Sequence, residues 1–151
     1  IARDEEIEID ALIEEVLADL EPLAQEKDIR LTGKCDKVIL IGSDILIYRL
    51  VYNLVENAIK YNISGGTVTV TATQRDKHIY LAVEDTGNGI PEELKERIFE
   101  PFFRLDKSRS RALGGVGLGL ALVHEIVRVH DGSIFVKDNA NSGTTFEVIF
   151  S

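Results

Sequence analysis

Residues 43–62, Ser-Asp-Ile-Leu-Ile-Tyr-Arg-Leu-Val-Tyr-Asn-Leu-Val-Glu-Asn-Ala-Ile-Lys-Tyr-Asn, predict one long helix on which the rest of the chain is arranged. Ser43 or Asp44 can cap its start, and neither Gly nor Pro occurs before Gly65, so roughly five turns can form. At 100° per residue, its apolar side chains share one broad arc that requires a hydrophobic core. These side chains are Ile47, Tyr48, Val51, Leu54, Val55, Ala58 and Ile59.

The opposite side of this helix carries a polar stripe, formed by Asn53, Glu56, Asn57 and Lys60. Their spacings of three, four and seven return to one helical face. A solvated face usually carries Lys, Glu and Arg, whereas Asn is a mediocre helix former, so two Asn on adjacent turns call for a reason. An amide oxygen can bind Mg²⁺ without the charge of Asp, which would repel phosphates. A solvated face and a cation site are therefore the two interpretations.

The composition of the 151 residues, 44% hydrophobic and 28% charged, predicts one globular domain. The 17 basic and 26 acidic residues give a net charge of −9, which disfavours nucleic acid and direct membrane contact. Cys35 is alone, which excludes an intrachain disulfide and fits a reducing compartment. No apolar run approaches a membrane span, and the absence of Met suggests a domain from a longer chain. We expect a cytoplasmic domain.

Before the long helix, the sequence predicts a first helix and two strands. Asp10 offers an N-cap for a helix whose apolar spacing continues to Ala24, and Pro22 should kink or weaken it. Residues 29–32 and 38–41 predict short strands around a polar turn. The second of these strands leads into the long helix.

After the long helix, residues 67–73 and 79–83 predict a hairpin, and 133–136 and 145–150 predict the last two strands. The hairpin ends in a loop, residues 84–91, whose two glycines let the backbone approach a ligand closely, although a simple turn would use the same residues. Pro91 can begin a short helix through residue 97.

Two segments suit a phosphate ligand. Arg104, Lys107, Arg109 and Arg111 form a basic run in an acidic chain, typical of a solvated loop and compatible with a phosphate lid. Glycines at 114–119 lead into a helix predicted over 118–129, whose first N–H groups and dipole favour anions.

Several familiar sites are excluded. The chain has no Gly-x-x-x-x-Gly-Lys-Ser/Thr sequence, and Gly115-x-Gly117-x-x-Leu120 departs from the dinucleotide fingerprint. The three histidines, His78, His124 and His130, have no spacing typical of zinc sites.

Five spaced motifs follow one another along the chain. They are Asn53-Leu-Val-Glu-Asn57-Ala-Ile-Lys60-Tyr61, Asp85-Thr-Gly87-Asn-Gly89, Phe99-Glu-Pro-Phe102-Phe103-Arg104, Gly115-Val-Gly117-Leu118-Gly119-Leu120 and Gly143-Thr144-Thr-Phe146. Taken together, they resemble the sequence boxes of the catalytic, ATP-binding domain of sensor histidine kinases, in the same order and over nearly the whole chain. That family belongs to the GHKL ATPases. The resemblance implies an α+β Bergerat fold, a two-layer α/β sandwich whose mixed, mainly antiparallel sheet is covered on one face by about three helices.

The resemblance implies a role for each matching position. Asn57 would bind Mg²⁺, with Asn53 and Lys60 near the ATP phosphates, and Arg104 would approach the γ-phosphate. Asp85 would accept a hydrogen bond from the adenine amino group, because a carboxylate only accepts. Gly87 and Gly89 would give the base room, Gly115, Gly117 and Gly119 match the phosphate-facing loop, and Phe99, Phe102 and Phe103 match the aromatic box under the lid. The other implied cofactor contacts are Tyr61, Ile90, Leu118, Leu120 and Thr144.

The implied reaction is phosphoryl transfer from MgATP to a histidine on a separate dimerisation domain of the same parent protein, with a response regulator acting downstream. The segment beginning at His124 does not match the family's His-Glu/Asp-x-x-Thr/Asn-Pro helix, so we expect no phosphoacceptor or sensor region here. The resemblance also implies a parent anchored in the cell membrane. Val116 and Ser142 depart from residues common in the family's glycine boxes.

Two alternatives remain open. Glu56, beside the implied metal ligand, could activate water, as in the gyrase, MutL or Hsp90 kind of GHKL ATPase. The aromatic box and basic run argue against that interpretation. A nucleotide-binding or protein-interaction module without turnover is the second alternative, which intact Asn57, Asp85 and glycine boxes disfavour.

Overall fold

The computed structural model describes residues 4–101, 119–139 and 142–151. Within these ranges, seven strands and three helices form the predicted α+β sandwich, in which the helices cover one face of a mixed sheet. The elements, in chain order, are β1 (Glu5–Glu8), α1 (Ile9–Glu26), β2 (Arg30–Cys35), β3 (Ile39–Gly42), α2 (Asp44–Lys60), β4 (Thr67–Arg75), β5 (His78–Asp85), a short 3-10 helix (Glu92–Leu94), α3 (Gly119–Val129), β6 (Ser133–Asp138) and β7 (Thr144–Phe150).

The main sheet has five strands in the order β2-β4-β5-β7-β6. Only β2 and β4 pair in parallel among the described strands, and the remaining pairs are antiparallel. The predicted hairpin is confirmed as β4 and β5, which are longer than expected and turn at Asp76 with a φ of 57°. Strand β5 ends and strand β7 begins beside the loop that follows Asp85, so the sheet positions that loop.

Alternation along the strands explains the single core. Val68, Val70 and Ala72 of β4 are buried, whereas the intervening threonines are half-exposed, because successive side chains point to opposite faces. The helices pack on the buried face, where each fully buried aliphatic side chain contributes about 1.5–3 kcal/mol. Among the described residues, no helix has the length and apolar character needed to cross a membrane.

Helix α2 is confirmed almost as predicted. Ser43 is its N-cap, and the Ser43 side chain accepts a hydrogen bond from the Leu46 N–H at 3.3 Å. The apolar arc is buried with one exception: Tyr48 is half-exposed and donates a hydrogen bond to Asp19 of α1. Leu50 was not part of the predicted arc but is fully buried. It lies beside Leu54 at the edge of the arc opposite Tyr48, so the buried face is shifted toward Leu50.

The structure corrects two local predictions and shows how two predicted strands are paired. Helix α1 begins at Ile9 with Glu8 as N-cap residue, so Asp10 lies in the first turn instead of capping it, and the helix continues through Pro22. Strands β2 and β3 lie in different sheets, because β3 pairs with β1 and β2 joins the main sheet beside β4. The helix predicted from Pro91 through residue 97 is only a 3-10 turn followed by further turns.

Candidate functional site

The polar stripe of α2 lies beside the first residue of α3. The side-chain nitrogen Nδ2 of Asn53 is 3.4 Å from the carbonyl oxygen of Gly119, and both residues were predicted to lie near the phosphates. One turn later, Glu56 Oε2 and Lys60 Nζ are 3.9 Å apart, an ion pair across one helical turn. Asn53 therefore lies at the beginning of α3, and the Glu56–Lys60 pair lies further along the same helix.

Asn57, in the middle of the polar stripe, differs from the nearby Asn62 in its side-chain contacts. It is half-buried, and among the described residues its side chain makes no hydrogen bond, whereas its backbone carbonyl accepts from Tyr61 in the helix. Asn62, at the same helix end, uses both ends of its amide: Nδ2 donates to Thr67 O at 3.0 Å, and Oδ1 accepts from the Ile63 N–H at 2.8 Å. The two asparagines therefore differ in kind, since one holds the fold and the other leaves its oxygen available.

Asp85 is buried at the end of β5, with 8% of its surface exposed. Its Oδ1 accepts hydrogen bonds from the Gly87 N–H at 2.9 Å and the Thr144 N–H at 3.1 Å. Burial raises the pKa of the Asp85 carboxyl, and these two backbone hydrogen bonds only partly oppose it. Within the described part of the chain, no hydrogen bond reaches Oδ2, so this oxygen is available to a donor on a ligand.

Two glycines explain how the loop after Asp85 fits its surroundings. A Cβ on Gly87 would lie 2.6 Å from the Tyr61 carbonyl oxygen, so only glycine lets the loop pass the end of α2. Gly143 has a φ of +102°, and a Cβ there would lie 2.0 Å from the Asp85 carbonyl oxygen. Both contacts are with backbone, which cannot move aside as a flexible side chain would. Tyr61 and Gly87 are therefore neighbours.

A side-chain network missing from the sequence predictions joins α2 to this loop. The Thr86 hydroxyl accepts from the Thr67 N–H at 2.9 Å and donates to Asn62 Oδ1 at 3.2 Å. The only sequence signal was the position of Asn62 at the end of the predicted helix. The network fixes where the loop starts relative to the polar stripe.

Other predicted site residues within the described ranges are buried to different degrees. Ile90 and Thr144 are buried, and Leu120 is half-buried against the core. The Phe99 ring centroid lies 5.4 Å from that of His124 and 6.2 Å from that of Phe146, which places Phe99 between α3 and β7. Phe99 is therefore a packing residue at the edge of the site as well as a member of the predicted aromatic box.

Some predicted site residues lie outside the described residues. They are Phe102, Phe103, Arg104, Gly115, Gly117 and Leu118, together with the rest of the basic run.

Comparison with known proteins supports the resemblance to sensor histidine kinases that the sequence motifs indicated. Residues 42–151 match the family described as histidine kinase-, DNA gyrase B-, and HSP90-like ATPase. The chain is 39% identical over 142 residues to the sensor-like histidine kinase SenX3 of Mycobacterium tuberculosis, covering 93% of this chain and 35% of that protein. It is 44% identical over 96 residues to the signal transduction histidine-protein kinase ArlS of Staphylococcus aureus, covering 64% and 21%. The chain thus spans about a third or less of these relatives.

Solved structures agree over the whole domain. A mycobacterial sensor histidine kinase, MprB, superposes with a TM-score of 0.83 at 31% identity, covering 97% of this chain and 96% of that one. The nucleotide-free catalytic domain of the histidine kinase ThkA gives a TM-score of 0.86 at 28% identity, covering 98% and 95%. The chain therefore belongs to the histidine kinase-, DNA gyrase B- and HSP90-like ATPases, as a catalytic ATP-binding domain of the sensor histidine kinase type.

Proposed function

We propose that this domain binds MgATP between the loop after Asp85 and the polar stripe, and transfers the γ-phosphoryl group to a histidine on the dimerisation domain of its parent protein. Adenine lies against Asp85, and the phosphates extend toward Asn53 and the start of α3. The 3.4 Å contact between Asn53 and Gly119 supports this path, because it joins two phosphate-facing elements at one place.

The single observation that carries the proposal is the arrangement at Asp85. Its Oδ1 is engaged by two backbone N–H groups, which fix the carboxylate, while Oδ2 has no donor among the described residues. No side-chain N or O atom of the described residues is both buried and without a partner, so Oδ2 is the exposed oxygen of this carboxylate, and it can accept from an N–H group of a ligand. The exocyclic amino group of adenine is such a donor, whereas guanine presents a carbonyl there.

The residues around Asn57 fit a Mg²⁺ ion held together with phosphates. The amide of Asn57 makes no competing hydrogen bond within the described ranges, and hard cations prefer oxygen ligands. An all-protein cage is unnecessary, since Mg²⁺ retains waters and takes further ligands from phosphates. When bound, Mg²⁺ would neutralise charge on the β- and γ-phosphates.

Phosphoryl transfer also requires cations that stabilise the negative charge on the transferred phosphoryl group. Lys60 lies one turn from Asn57 and pairs with Glu56 at 3.9 Å, a weak contact that Lys60 can exchange for a phosphate. Arg104 is our candidate for the cation that acts mainly in the reacting geometry. Phosphoryl transfer depends on positioning and on stabilising charge that develops on oxygen, so such a cation affects rate more than affinity.

Partners and location follow from the same assignment. ThkA was solved in complex with the response regulator protein TrrA, at a TM-score of 0.82 to this chain. We propose that the parent of this domain likewise passes its phosphoryl group to a response regulator, and that the parent is anchored in the cell membrane with this domain in the cytoplasm.

Transfer in trans tests the proposal. The domain, given MgATP and a separate phosphoacceptor-helix domain, should phosphorylate that domain and not its own His78, His124 or His130. Arg104→Ala should lower transfer by about a hundredfold or more while ADP affinity changes little. Lys107→Ala, in the same basic run, is the matched control. Transfer that does not change in Arg104→Ala would remove Arg104 from catalysis.

The same assay tests the alternative of a water-activating ATPase. In that mechanism Glu56 is the base, so the isolated domain would hydrolyse ATP rapidly and Glu56→Gln would abolish hydrolysis. We expect instead slow hydrolysis by the isolated domain, because the proposed acceptor of the phosphoryl group is a histidine on a separate domain. Rapid hydrolysis that depends on Glu56, without transfer to the phosphoacceptor, would reject the kinase proposal.

A further inference from the structure

Side chains of the β6–β7 turn continue the contact between β5 and β7 beyond the end of their ladder. The ladder ends at the Glu84–Thr145 pair, and the chain after it becomes the loop that begins with Asp85. There Asn139, which follows β6, places its Nδ2 2.6 Å from the Asp85 carbonyl oxygen. A side-chain donor thus takes the place that a strand N–H would have in a longer ladder.

The orientation of the Asn139 amide is fixed by its other contacts. Its Oδ1 accepts a hydrogen bond from the Thr145 hydroxyl, and its backbone N–H donates to the Gly143 carbonyl at 3.2 Å. A carbonyl oxygen can only accept, so the amide nitrogen is the group that faces Asp85. Thr145 and Gly143 therefore hold Asn139 in place, with its Nδ2 directed at the Asp85 carbonyl oxygen.

The same turn makes further contacts with the loop. Ser142 donates from its hydroxyl to the Gly87 carbonyl at 2.6 Å, and the Thr144 N–H donates to Asp85 Oδ1 at 3.1 Å. The missing Cβ of Gly143 allows this approach, since the Asp85 carbonyl occupies that space. Backbone and carboxylate of Asp85 are thus both held from the β6–β7 turn.

We propose that Asn139 is a positioning residue for adenine recognition, which holds the Asp85 backbone so that the carboxylate presents Oδ2 to the amino group of the base. This inference rests on the proposed function, in which Asp85 accepts that hydrogen bond. Without the amide, the Asp85 carbonyl loses a part-buried donor, and the loop can shift. A shift that lengthens the bond to the base weakens it steeply, because hydrogen bonds depend strongly on distance and angle.

Nucleotide selectivity distinguishes positioning from a merely structural role. Inosine diphosphate (IDP) carries a carbonyl where ADP carries the amino group, so it cannot use Asp85 as an acceptor. Asn139→Ala should lower ADP affinity about tenfold, measured by calorimetry, and should leave IDP affinity nearly unchanged. Lys137→Ala, which breaks the 2.8 Å ion pair with Glu147 in the same hairpin, should change neither affinity.

A double-mutant cycle provides the second readout. In the Asp85→Asn background, Asn139→Ala should have no further effect on ADP affinity, because the acceptor that it positions has gone. Equal losses for ADP and IDP, or additive losses in the cycle, would overturn the inference and leave Asn139 a structural residue. Should Asn139→Ala not fold, Thr145→Val releases the Asn139 amide oxygen, and an unchanged ratio of ADP to IDP affinity in that variant would also overturn it.

Failure of the inference differs from failure of the proposed function. If wild type binds ADP and Asp85→Asn lowers the ratio of ADP to IDP affinity, the proposed function stands whatever Asn139→Ala does. If wild type does not prefer ADP to IDP, the adenine site at Asp85 is itself wrong.

Discussion

The imidazole Nε2 of His130 lies 3.1 Å from the backbone nitrogen of Ser43, so the end of α3 holds the amide that precedes α2. His130 Nδ1 lies 2.8 Å from the Ile126 carbonyl oxygen, which can only accept. Nδ1 therefore carries the proton, and Nε2 accepts from Ser43. The next amide, the Asp44 N–H, donates to Glu5 Oε1 at 3.0 Å, so α2 starts from contacts with two distant elements.

We predict that His130→Ala destabilises the domain by about 1–3 kcal/mol, because it leaves the part-buried Ser43 N–H without an acceptor. Urea denaturation measures the change. His78→Ala is the matched control: His78 is exposed at a hairpin turn and should change stability by less than about 0.5 kcal/mol. Equal effects of the two substitutions would show that the His130 contact does not stabilise the fold.

We predict that Gly143→Ala weakens both the fold and nucleotide binding. The new Cβ would lie 2.0 Å from the Asp85 carbonyl oxygen at a φ of +102°. Gly65→Ala separates backbone strain from steric clash. Gly65 also has a positive φ, +84°, but its Cβ would meet nothing nearer than 3.9 Å. Gly65→Ala should destabilise by about 1–2 kcal/mol and leave ADP affinity intact. Thermal unfolding measures stability, and calorimetry measures ADP affinity. Equal results for Gly143→Ala and Gly65→Ala would show that the clash with the Asp85 carbonyl has no effect of its own.

We predict that Asp85→Asn stabilises the nucleotide-free domain at neutral pH while it lowers ADP affinity about ten- to hundredfold. Burial raises the pKa of the Asp85 carboxyl above its ordinary 3.8, so the folded domain holds this proton more tightly than the unfolded chain does. Ionised Asp85 therefore destabilises the fold, and this effect is absent below the ordinary value and complete once pH exceeds the folded-state pKa.

Melting temperature measured from pH 3 to pH 8 checks the sign. The advantage of Asp85→Asn over wild type should grow as pH rises from the ordinary 3.8 to the folded-state pKa of Asp85, and should stay constant above it. Glu84→Gln, at the exposed neighbour, is the control and should change stability by less than about 0.5 kcal/mol. A mutant less stable than wild type at pH 7 would contradict the prediction. It would mean that the hydrogen bonds from the Gly87 and Thr144 N–H groups stabilise the charged carboxylate by more than burial destabilises it.

We predict that Asn57→Ala leaves the fold intact and removes the Mg²⁺ dependence of ATP binding. Asn62→Ala is the matched control, since it loses two hydrogen bonds to the backbone at 2.8 and 3.0 Å and should destabilise the domain by about 1–3 kcal/mol. Calorimetry with and without Mg²⁺, together with melting temperatures, separates the two variants. A large fall in melting temperature for Asn57→Ala with unchanged Mg²⁺ coupling would make Asn57 structural.

Local patterns determined the main elements and the motifs of the site. Helix α2, its cap at Ser43 and the β4–β5 hairpin follow from periodicity and turn residues, which act over a few positions. The polar stripe also follows, because spacings of three and four place Asn53 and Asn57 on one helical face. The family resemblance added the order of the boxes and the role expected of Asp85.

Tertiary structure alone decided which of these pieces meet. Strands β2 and β3 follow each other in sequence but lie in different sheets, since β3 finds its partner in β1. Asn139 and Asp85 are 54 positions apart, and their contact depends on the β5–β7 register, which no local pattern specifies. Ser43 and His130 are 87 positions apart and meet only when α2 and α3 pack. Side-chain donors aimed at backbone carbonyls leave no periodic trace, because one distant partner determines each of them.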